Sequence, residues 1–354
     1  MYNIYVASLD SHGEKTSICV GLGRLLEEKG YNIGYMKPIG GHLVNTDGTF
    51  VDVDTKDAKE VFGLPNGYDD ITPILLTERV LADILKGKKE DYGEKIKKSF
   101  EKIKEGKDIL LIEGFEDIWT GLTIGLSSST LAELTKSKIL ISVSYSTLVV
   151  GRILEYNTVI EQEKLIGVVI SGVPQGKADS VRDLEIPYLE SKGVKMLGFL
   201  PKSEFLKATT SIEIAQELGG AIICGKEYSN EPIHNFIVGA MSYENALKYF
   251  RRIGDKAVIT GGDRAEIQLA ALETPTKALV LTGNLYPGPA IMAKAEERGI
   301  PIIVVPDDTL TVVEKVENLM DTVRLKDERK IEEIKQLITD NIDLDKLYGE
   351  VDIK

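Results

Sequence analysis

Short apolar runs rich in β-branched residues alternate along the chain with longer stretches in which apolar positions recur every three or four residues. The first pattern suits a buried strand and the second an amphipathic helix, so their alternation predicts βαβ units stacked around a parallel sheet, an α/β fold. The early runs predict strands over Asn3–Ser8, Ile33–Pro38, Asp108–Glu113, Lys138–Tyr145, Leu165–Gly172 and Lys195–Leu200. Thr130-Leu131-Ala132-Glu133, following Ser127-Ser128-Ser129, reads as a capping box. A hydroxyl and a carboxylate three residues later satisfy the first free amides of a helix, here predicted over Thr130–Lys136. Near Gln216-Glu217-Leu218-Gly219-Gly220 a helical pattern ends in two glycines and a second strand series opens, over Ala221–Cys224, Phe236–Val238, Ala257–Thr260, Ala278–Thr282 and Ile302–Val305. These shifts predict a first domain over residues 1–218, a smaller α/β domain over 219–325 and a C-terminal helix and tail over 326–354. In the tail, Ile331, Ile334, Leu337, Ile338 and Ile342 share helical spacing, giving a face that packs either on the body or on a second subunit.

Charge narrows the class of partner. The 354 residues carry 56 acidic and 43 basic side chains, a formal net charge of −13, which argues against the concentrated basic patch that nucleic-acid binding needs. No run of about 18 apolar residues is present and the chain enters a strand at its start, so neither a membrane span nor a signal peptide fits and a cytoplasmic location is expected. Cys19 and Cys224, the two cysteines, offer neither a disulfide framework nor zinc spacing and read as buried small hydrophobes.

The candidate chemistry starts at Ala7-Ser8-Leu9-Asp10-Ser11-His12-Gly13-Glu14-Lys15-Thr16-Ser17. A strand, a loop ending in Lys-Thr and then a helix form the context of a phosphate loop. Its backbone amides and the helix N-terminus face phosphates, the Lys15 ammonium balances β/γ charge, and the Thr16 hydroxyl reaches Mg²⁺. Glu113 ends the apolar run Ile109–Ile112, at the strand edge where open α/β sheets bind ligands; it reads as a ligand residue or as a salt-bridge partner.

Together with Tyr5-Val6-Ala7-Ser8, the segments Lys15-Thr16, Gly34-Tyr35-Met36-Lys37-Pro38-Ile39-Gly40, Asp57-Ala58 and Leu110-Leu111-Ile112-Glu113-Gly114 resemble the dethiobiotin-synthetase type of P-loop protein. In particular they resemble the version at the N-terminus of long bacterial phosphotransacetylases. The resemblance covers roughly residues 1–218. It implies a P-loop NTPase-type parallel sheet with helices on both faces, binding ATP and Mg²⁺. By the same resemblance Lys15 contacts phosphates, Lys37 faces the substrate or the γ-phosphate, and Thr16, Asp57 and Glu113 hold Mg²⁺. Gly13, Lys15, Thr16, Ser17 and Ser171 then form the nucleotide-binding set, Ser171 standing where the family carries asparagine beside the base. Hard carboxylate and hydroxyl oxygens suit Mg²⁺, and two lysines suit the charge that develops in phosphoryl transfer. Away from the resemblance, Lys37 also reads as a solvated strand-end lysine and Asp57 as a residue at the start of a helix. His12 contacts a phosphate or is an exposed loop residue; Trp119 covers a ligand or packs at its loop.

Glu14 departs from the pattern, since the family has glycine immediately before the lysine. Two like charges about 4 Å apart repel by roughly 4 kcal/mol at an effective dielectric of about 20, about a thousandfold in affinity. Either the neighbouring Gly13 lets the loop re-form with a shifted turn, or the loop binds weakly, binds another anion or only supports the fold.

Within residues 219–325, Val238-Gly239-Ala240-Met241-Ser242, Ile259-Thr260-Gly261-Gly262-Asp263-Arg264, Ala278-Leu279-Val280-Leu281-Thr282-Gly283-Asn284 and Val305-Pro306-Asp307-Asp308-Thr309 resemble a DRTGG domain. Asn284 replaces one of its glycines and is expected to keep the left-handed turn. Asp263 is expected to cap the following helix, while Arg264 binds an anion or pairs with an acidic group. Asp307, Asp308 and Thr309 are ligand residues or a helix start. This domain pair implies a nucleotide-responsive regulatory or scaffold protein, working as a homo-oligomer and without acetyl transfer of its own. The alternative is an ATP-dependent ligase that activates a small carboxylate or carbamate; a third reading is a structural fold that binds no nucleotide.

Overall fold

The computed structural model describes all residues except His12, Gly13, Asp47, Lys89, 322–326 and Lys354. The chain forms two compact units, one made of residues 1–203 with 324–354 and the other of residues 204–323.

In the first unit the strands are β1 (Tyr2–Ser8), β2 (Ile33–Met36), β3 (Ile39–Gly40), β4 (Leu43–Thr46), β5 (Thr49–Asp52), β6 (Ile74–Leu75), β7 (Ile109–Glu113), β8 (Lys138–Ser144), β9 (Leu165–Val173) and β10 (Met196–Pro201). Six of them form a parallel sheet in the order β10-β9-β8-β1-β7-β2. β7 is buried along its whole length, the continuous apolar signature of a parallel strand covered on both faces. Helices α1 (Lys15–Glu28), α2 (Val53–Val61), α3 (Tyr68–Ile71), α4 (Glu78–Leu85), α5 (Tyr92–Ile103), α6 (Ser128–Leu134), α7 (Val149–Asn157), α8 (Ala178–Ser180) and α9 (Ile186–Ser191) complete this part of the chain.

The second unit holds α10 (Glu204–Lys207), α11 (Ser211–Glu217), β11 (Ala221–Cys224), β12 (Asn235–Val238), α12 (Tyr243–Phe250), β13 (Lys256–Gly261), α13 (Ala265–Leu272), β14 (Thr276–Thr282), α14 (Pro289–Arg298), β15 (Ile302–Val304) and α15 (Thr309–Asp321). Its sheet runs β11-β15-β14-β13-β12, parallel except for β11. Alternate residues of β13 and β14 serve opposite layers. Val258, Leu279 and Leu281 enter one core, and Ala257, Ile259, Ala278 and Val280 the other. The last two helices, α16 (Glu328–Asn341) and α17 (Leu344–Glu350), belong to the first unit.

Each strand predicted from the pattern is present, with ends shifted by two residues at most. Three details differ from expectation, and a fourth decides between two alternatives left open. First, the division falls at 203/204 instead of 218/219, because Ile214 and Ala215 of α11, with Leu218 just after it, pack into a core of the second sheet. Second, α6 starts two residues earlier than predicted: Ser127, not Thr130, is its cap and accepts the Thr130 amide. Glu133 bonds Lys164 at 2.7 Å.

Third, Asp263 does not cap α13; Arg264 occupies the cap position without a side-chain cap bond, and its guanidinium donates to the carbonyls of Gly239 (2.8 Å) and Met241 (3.0 Å). Fourth, the amphipathic face of α16 lies against α1. A methyl carbon added at Gly21 would sit 2.6 Å from Ile338 Cδ1 and 3.1 Å from Ile334 Cγ1. The tail therefore supplies no argument for a second subunit. Asn284 has the expected left-handed backbone, φ 56°. Asp308 starts α15 by accepting the amides of Leu310 and Thr311. Both cysteines are buried and free. Among the described residues no helix is long and apolar enough to cross a membrane.

Candidate functional site

β1 runs straight into the loop that opens α1, between β7 and β8, so the helix start lies over the middle of the sheet. Asp10 ties that loop to the end of β8 by accepting the Ser144 amide (3.0 Å) and hydroxyl (2.6 Å). Gly13 and His12 lie outside the described residues. Glu14 occupies the cap position of α1 with no side-chain cap bond, and the first turn holds no acidic residue. An α-helix so placed presents free amides and the positive end of its dipole. The Glu14 carboxylate leans toward the end of β9: a methyl carbon added at Gly172 would lie 3.9 Å from its Oε1.

Lys15, Thr16 and Ser17 form the first turn of α1. Lys15 is buried and its ammonium donates to the Glu116 carbonyl at 2.9 Å; burial lowers its pKa, against the opposing charge of Glu113. Thr16 Oγ1 donates to Glu113 Oε1 at 2.9 Å. Ser17 is buried. Lys37, immediately after β2, is buried as well and lies 3.0 Å from Asp52 Oδ1 and 3.5 Å from Glu113 Oε1, and it also bonds Asp54. Three carboxylates around one ammonium explain why its pKa rises although burial alone would lower it.

Glu113 sits at the centre. Its Oε2 accepts from the buried Tyr35 hydroxyl at 2.9 Å. Burial pushes its pKa up to about 7, with Lys37 pulling down and Asp54 pushing up. Burial would also raise Asp54, but the charge and bond of Lys37 outweigh it and the net shift is downward. At the rim, His42 Nε2 meets Glu116 Oε1 at 3.2 Å; that bond raises the histidine pKa and lowers the glutamate.

The structure thus gathers Lys15, Thr16, Lys37 and Glu113 at the C-terminal ends of β1, β2 and β7. The aspartate that α2 brings to Lys37 is Asp54, one turn before the expected Asp57, which is itself buried on the same helix. Ser171 lies elsewhere, at the end of β9, where its hydroxyl accepts from Ser142 at 3.1 Å. Trp119 is 54% exposed. Asp52, Asp54, Tyr35, His42 and Glu116 were not anticipated. Asp52 had a readable signal, an aspartate three residues ahead of Thr55 whose amide it caps. Tyr35 had another, since it stands two residues before Lys37 on a strand and so shares its face.

Among the described residues no group of three or more His, Cys, Asp and Glu is arranged to hold a metal ion. Mg²⁺ does not need one: it keeps several waters and takes one or two protein oxygens plus phosphates. Oxygens on neighbouring corners of a Mg²⁺ octahedron are about 2.9 Å apart for Mg–O near 2.05 Å. Thr16 Oγ1 and Glu113 Oε1 have that separation, so this donor pair fits.

Residues 2–210 match the AAA domain family, which is more than half of the chain. The chain belongs to that family. Its AAA domain is of the dethiobiotin synthetase-like P-loop kind, with the α/β fold of P-loop NTPases, and a DRTGG domain matches residues 213–319. The AAA and DRTGG domains together are similar to phosphate acetyltransferase of Pseudomonas putida, 24% identical over 97% of this chain and 51% of that protein. The chain therefore spans about half the length of the acetyltransferases it matches. Part of the AAA domain is similar to the ATP-dependent dethiobiotin synthetase BioD of Methanococcus vannielii, 33% identical over 31% of this chain and 50% of that protein. Among solved structures, the CBS and DRTGG domains of the regulatory region of Clostridium perfringens pyrophosphatase, complexed with the activator diadenosine tetraphosphate, align over 51% of this chain and 90% of theirs, with 23% identity and a TM-score of 0.30.

Proposed function

We propose that this AAA–DRTGG chain is a nucleotide-responsive regulatory module whose AAA domain binds Mg·ATP. The observation that carries the reading is the convergence of Lys15, Thr16, Lys37 and Glu113 at the ends of three adjacent strands, beside the uncapped start of α1. In this reading Thr16 and Glu113 hold Mg²⁺ with Asp54 close by, and Lys15 and Lys37 face the phosphates. Mg²⁺ supplies neutralisation of phosphate charge when bound. Lys15 donates to the Glu116 carbonyl in the loop that follows β7, so a phosphate that draws its ammonium away would release that loop. That release is the first step of a response.

Glu14 weakens such a site less than its position suggests, because its carboxylate leans toward Gly172. Doubling the separation of about 4 Å halves the repulsion to roughly 2 kcal/mol, about thirtyfold in affinity. Calorimetric titration of Mg·ATP into the protein tests the reading. Micromolar binding is expected, lost in Lys15→Ala and tightened about thirtyfold in Glu14→Gly. Absence of binding in both the native protein and Glu14→Gly rejects it.

A second reading, an ATP-dependent ligase acting on a small carboxylate, is favoured by the two ammonium groups of Lys15 and Lys37 at one set of strand ends, as phosphoryl transfer needs. ADP release accelerated by a small carboxylate supports the ligase, and slow release unaffected by any carboxylate supports the regulator.

A further inference from the structure

We propose that Tyr35 is a positioning residue that decides which oxygen of Glu113 faces the start of α1. The proposal rests on the Mg·ATP reading above. Tyr35 and Leu111 are register partners in the parallel pair of β2 and β7, and Met36 and Ile112 are the next. Side chains two apart on a strand share a face, so Tyr35 on β2 and Glu113, two residues beyond its partner Leu111 on β7, project to the same side of the sheet, with Lys37 just past the end of β2. The Tyr35 ring reaches forward along the strand and donates its hydroxyl to Glu113 Oε2 at 2.9 Å. That leaves Oε1 for Thr16 at 2.9 Å and Lys37 at 3.5 Å.

The ring itself is held in place. It is fully buried and stacks on Phe62, centroid to centroid 6.3 Å and 29° between planes. Phe62 is the residue that ends α2, and its ring fills the space over Gly23 of α1, where a methyl carbon would come within 2.5 Å. One packed column therefore joins α2, Tyr35 and α1. A buried carboxylate without the tyrosine hydroxyl has an oxygen to satisfy, and turning toward Lys37 or Thr16 satisfies it. The carboxylate then loses the orientation a metal-ligating oxygen requires. Groups that orient a ligand in this way typically contribute about 10–100-fold to metal affinity.

The test is the Mg²⁺ dependence of ATP binding by the full chain, read by calorimetry for the native protein, Tyr35→Phe, Glu113→Gln and the double variant. Tyr35→Phe is expected to raise the Mg²⁺ concentration for half-maximal binding about 10–100-fold, while ATP binding in EDTA stays within about twofold. In the Glu113→Gln background the same change should move the Mg²⁺ midpoint by less than about twofold, because Tyr35 acts through Glu113. An unchanged midpoint in Tyr35→Phe overturns the proposal, as does an undiminished shift in the Glu113→Gln background. A native protein that binds no ATP at any Mg²⁺ concentration overturns the nucleotide reading and this role with it. Should Tyr35→Phe fail to fold, Phe62→Leu keeps the hydroxyl but loosens the ring; a several-fold midpoint shift in the same direction is expected, and no shift overturns the proposal.

Discussion

A carboxyl group enclosed by two ammonium groups and a second carboxylate leaves a mark on stability as well as on ligand binding. Burial raises the pKa of Glu113 from the ordinary 4.5 to about 7, Lys37 opposing and Asp54 adding to the rise. Between those values the folded protein holds a proton that the unfolded chain has released, so this group favours folding below pH 4.5 and loses that contribution as pH rises to about 7. Glu113→Gln cannot titrate there. Urea denaturation of both proteins at pH 4.5, 5.5, 6.5 and 7.5 should therefore show the difference in unfolding free energy moving in the variant's favour across the window and levelling above it. A difference independent of pH would mean that Glu113 ionises at its ordinary value. Asp54 beside it works in the opposite sense: it is held low against its own burial by Lys37, and its charge helps to keep Lys37 charged where a solitary buried lysine would lose its proton.

At the scale of elements, the end of the chain is built into the edge of the first sheet. Ile342 bridges Gly198 of β10 in antiparallel fashion, the Asp343 amide donates to the Leu197 carbonyl at 2.8 Å, and Lys346 donates to the Met196 carbonyl at 2.8 Å. Gly198 permits this approach. Its φ is +133°, and a methyl carbon there would lie 2.1 Å from the Asn341 carbonyl oxygen, a backbone atom that cannot rotate away. Gly198→Ala should cost about 2–4 kcal/mol through strain and overpacking together. Limited proteolysis should then cut first between α16 and α17, and a cleavage pattern identical to the native one would refute the role given to this glycine.

Such contacts set the limit of what the sequence discloses. The strands were legible because each is a buried run between turn residues, Lys37 and Glu113 because each stands where such a run stops, and Lys15 and Thr16 because they follow a strand and a loop at the start of a helix. The hairpin of β4 and β5 was missed because only two of its eight strand residues are buried, although Asp47-Gly48 between Leu43–Thr46 and Thr49–Asp52 is a two-residue hairpin turn in sequence. Yet this hairpin returns the chain to Asp52, whose carboxylate accepts the amides of Gly41 and His42 and lies beside Lys37. The position of Asp54 follows from that return. Motif resemblance singled out Asp57, one turn further along α2 and buried on the same helix, whereas the aspartate that bonds Lys37 is Asp54.

If the first unit binds nucleotide as proposed, the covalent order of the whole molecule offers that event a route out of it. The chain leaves that unit after Ser203, builds the DRTGG unit and re-enters the first one, where α16 packs Ile334 and Ile338 against α1 at Gly21. Lys15 and Thr16 lie at the start of that same α1. In the proposed reading, a shift of α1 on nucleotide binding would be passed to the helix that directly follows the second unit in sequence. Within that unit the strand-end loops are tied to one another: Arg264 bonds the carbonyls of Gly239 and Met241, and Gly262 packs on the Leu285 backbone so closely that a methyl carbon would lie 2.1 Å from its carbonyl oxygen. A disturbance of one loop reaches its neighbours. Amide hydrogen exchange with and without saturating Mg·ATP reads the whole route. If the chain is a regulator, exchange should slow at residues 14–17, 35–42 and 113–117 and also change in α16 and in the loops at 239–242, 261–264 and 283–286. A coupling of about 1–3 kcal/mol corresponds to about 5–150-fold in those rates. Protection confined to the strand ends of the AAA domain would mean that nucleotide is held there without being reported onward, and the ligase reading would then account better for the paired lysines.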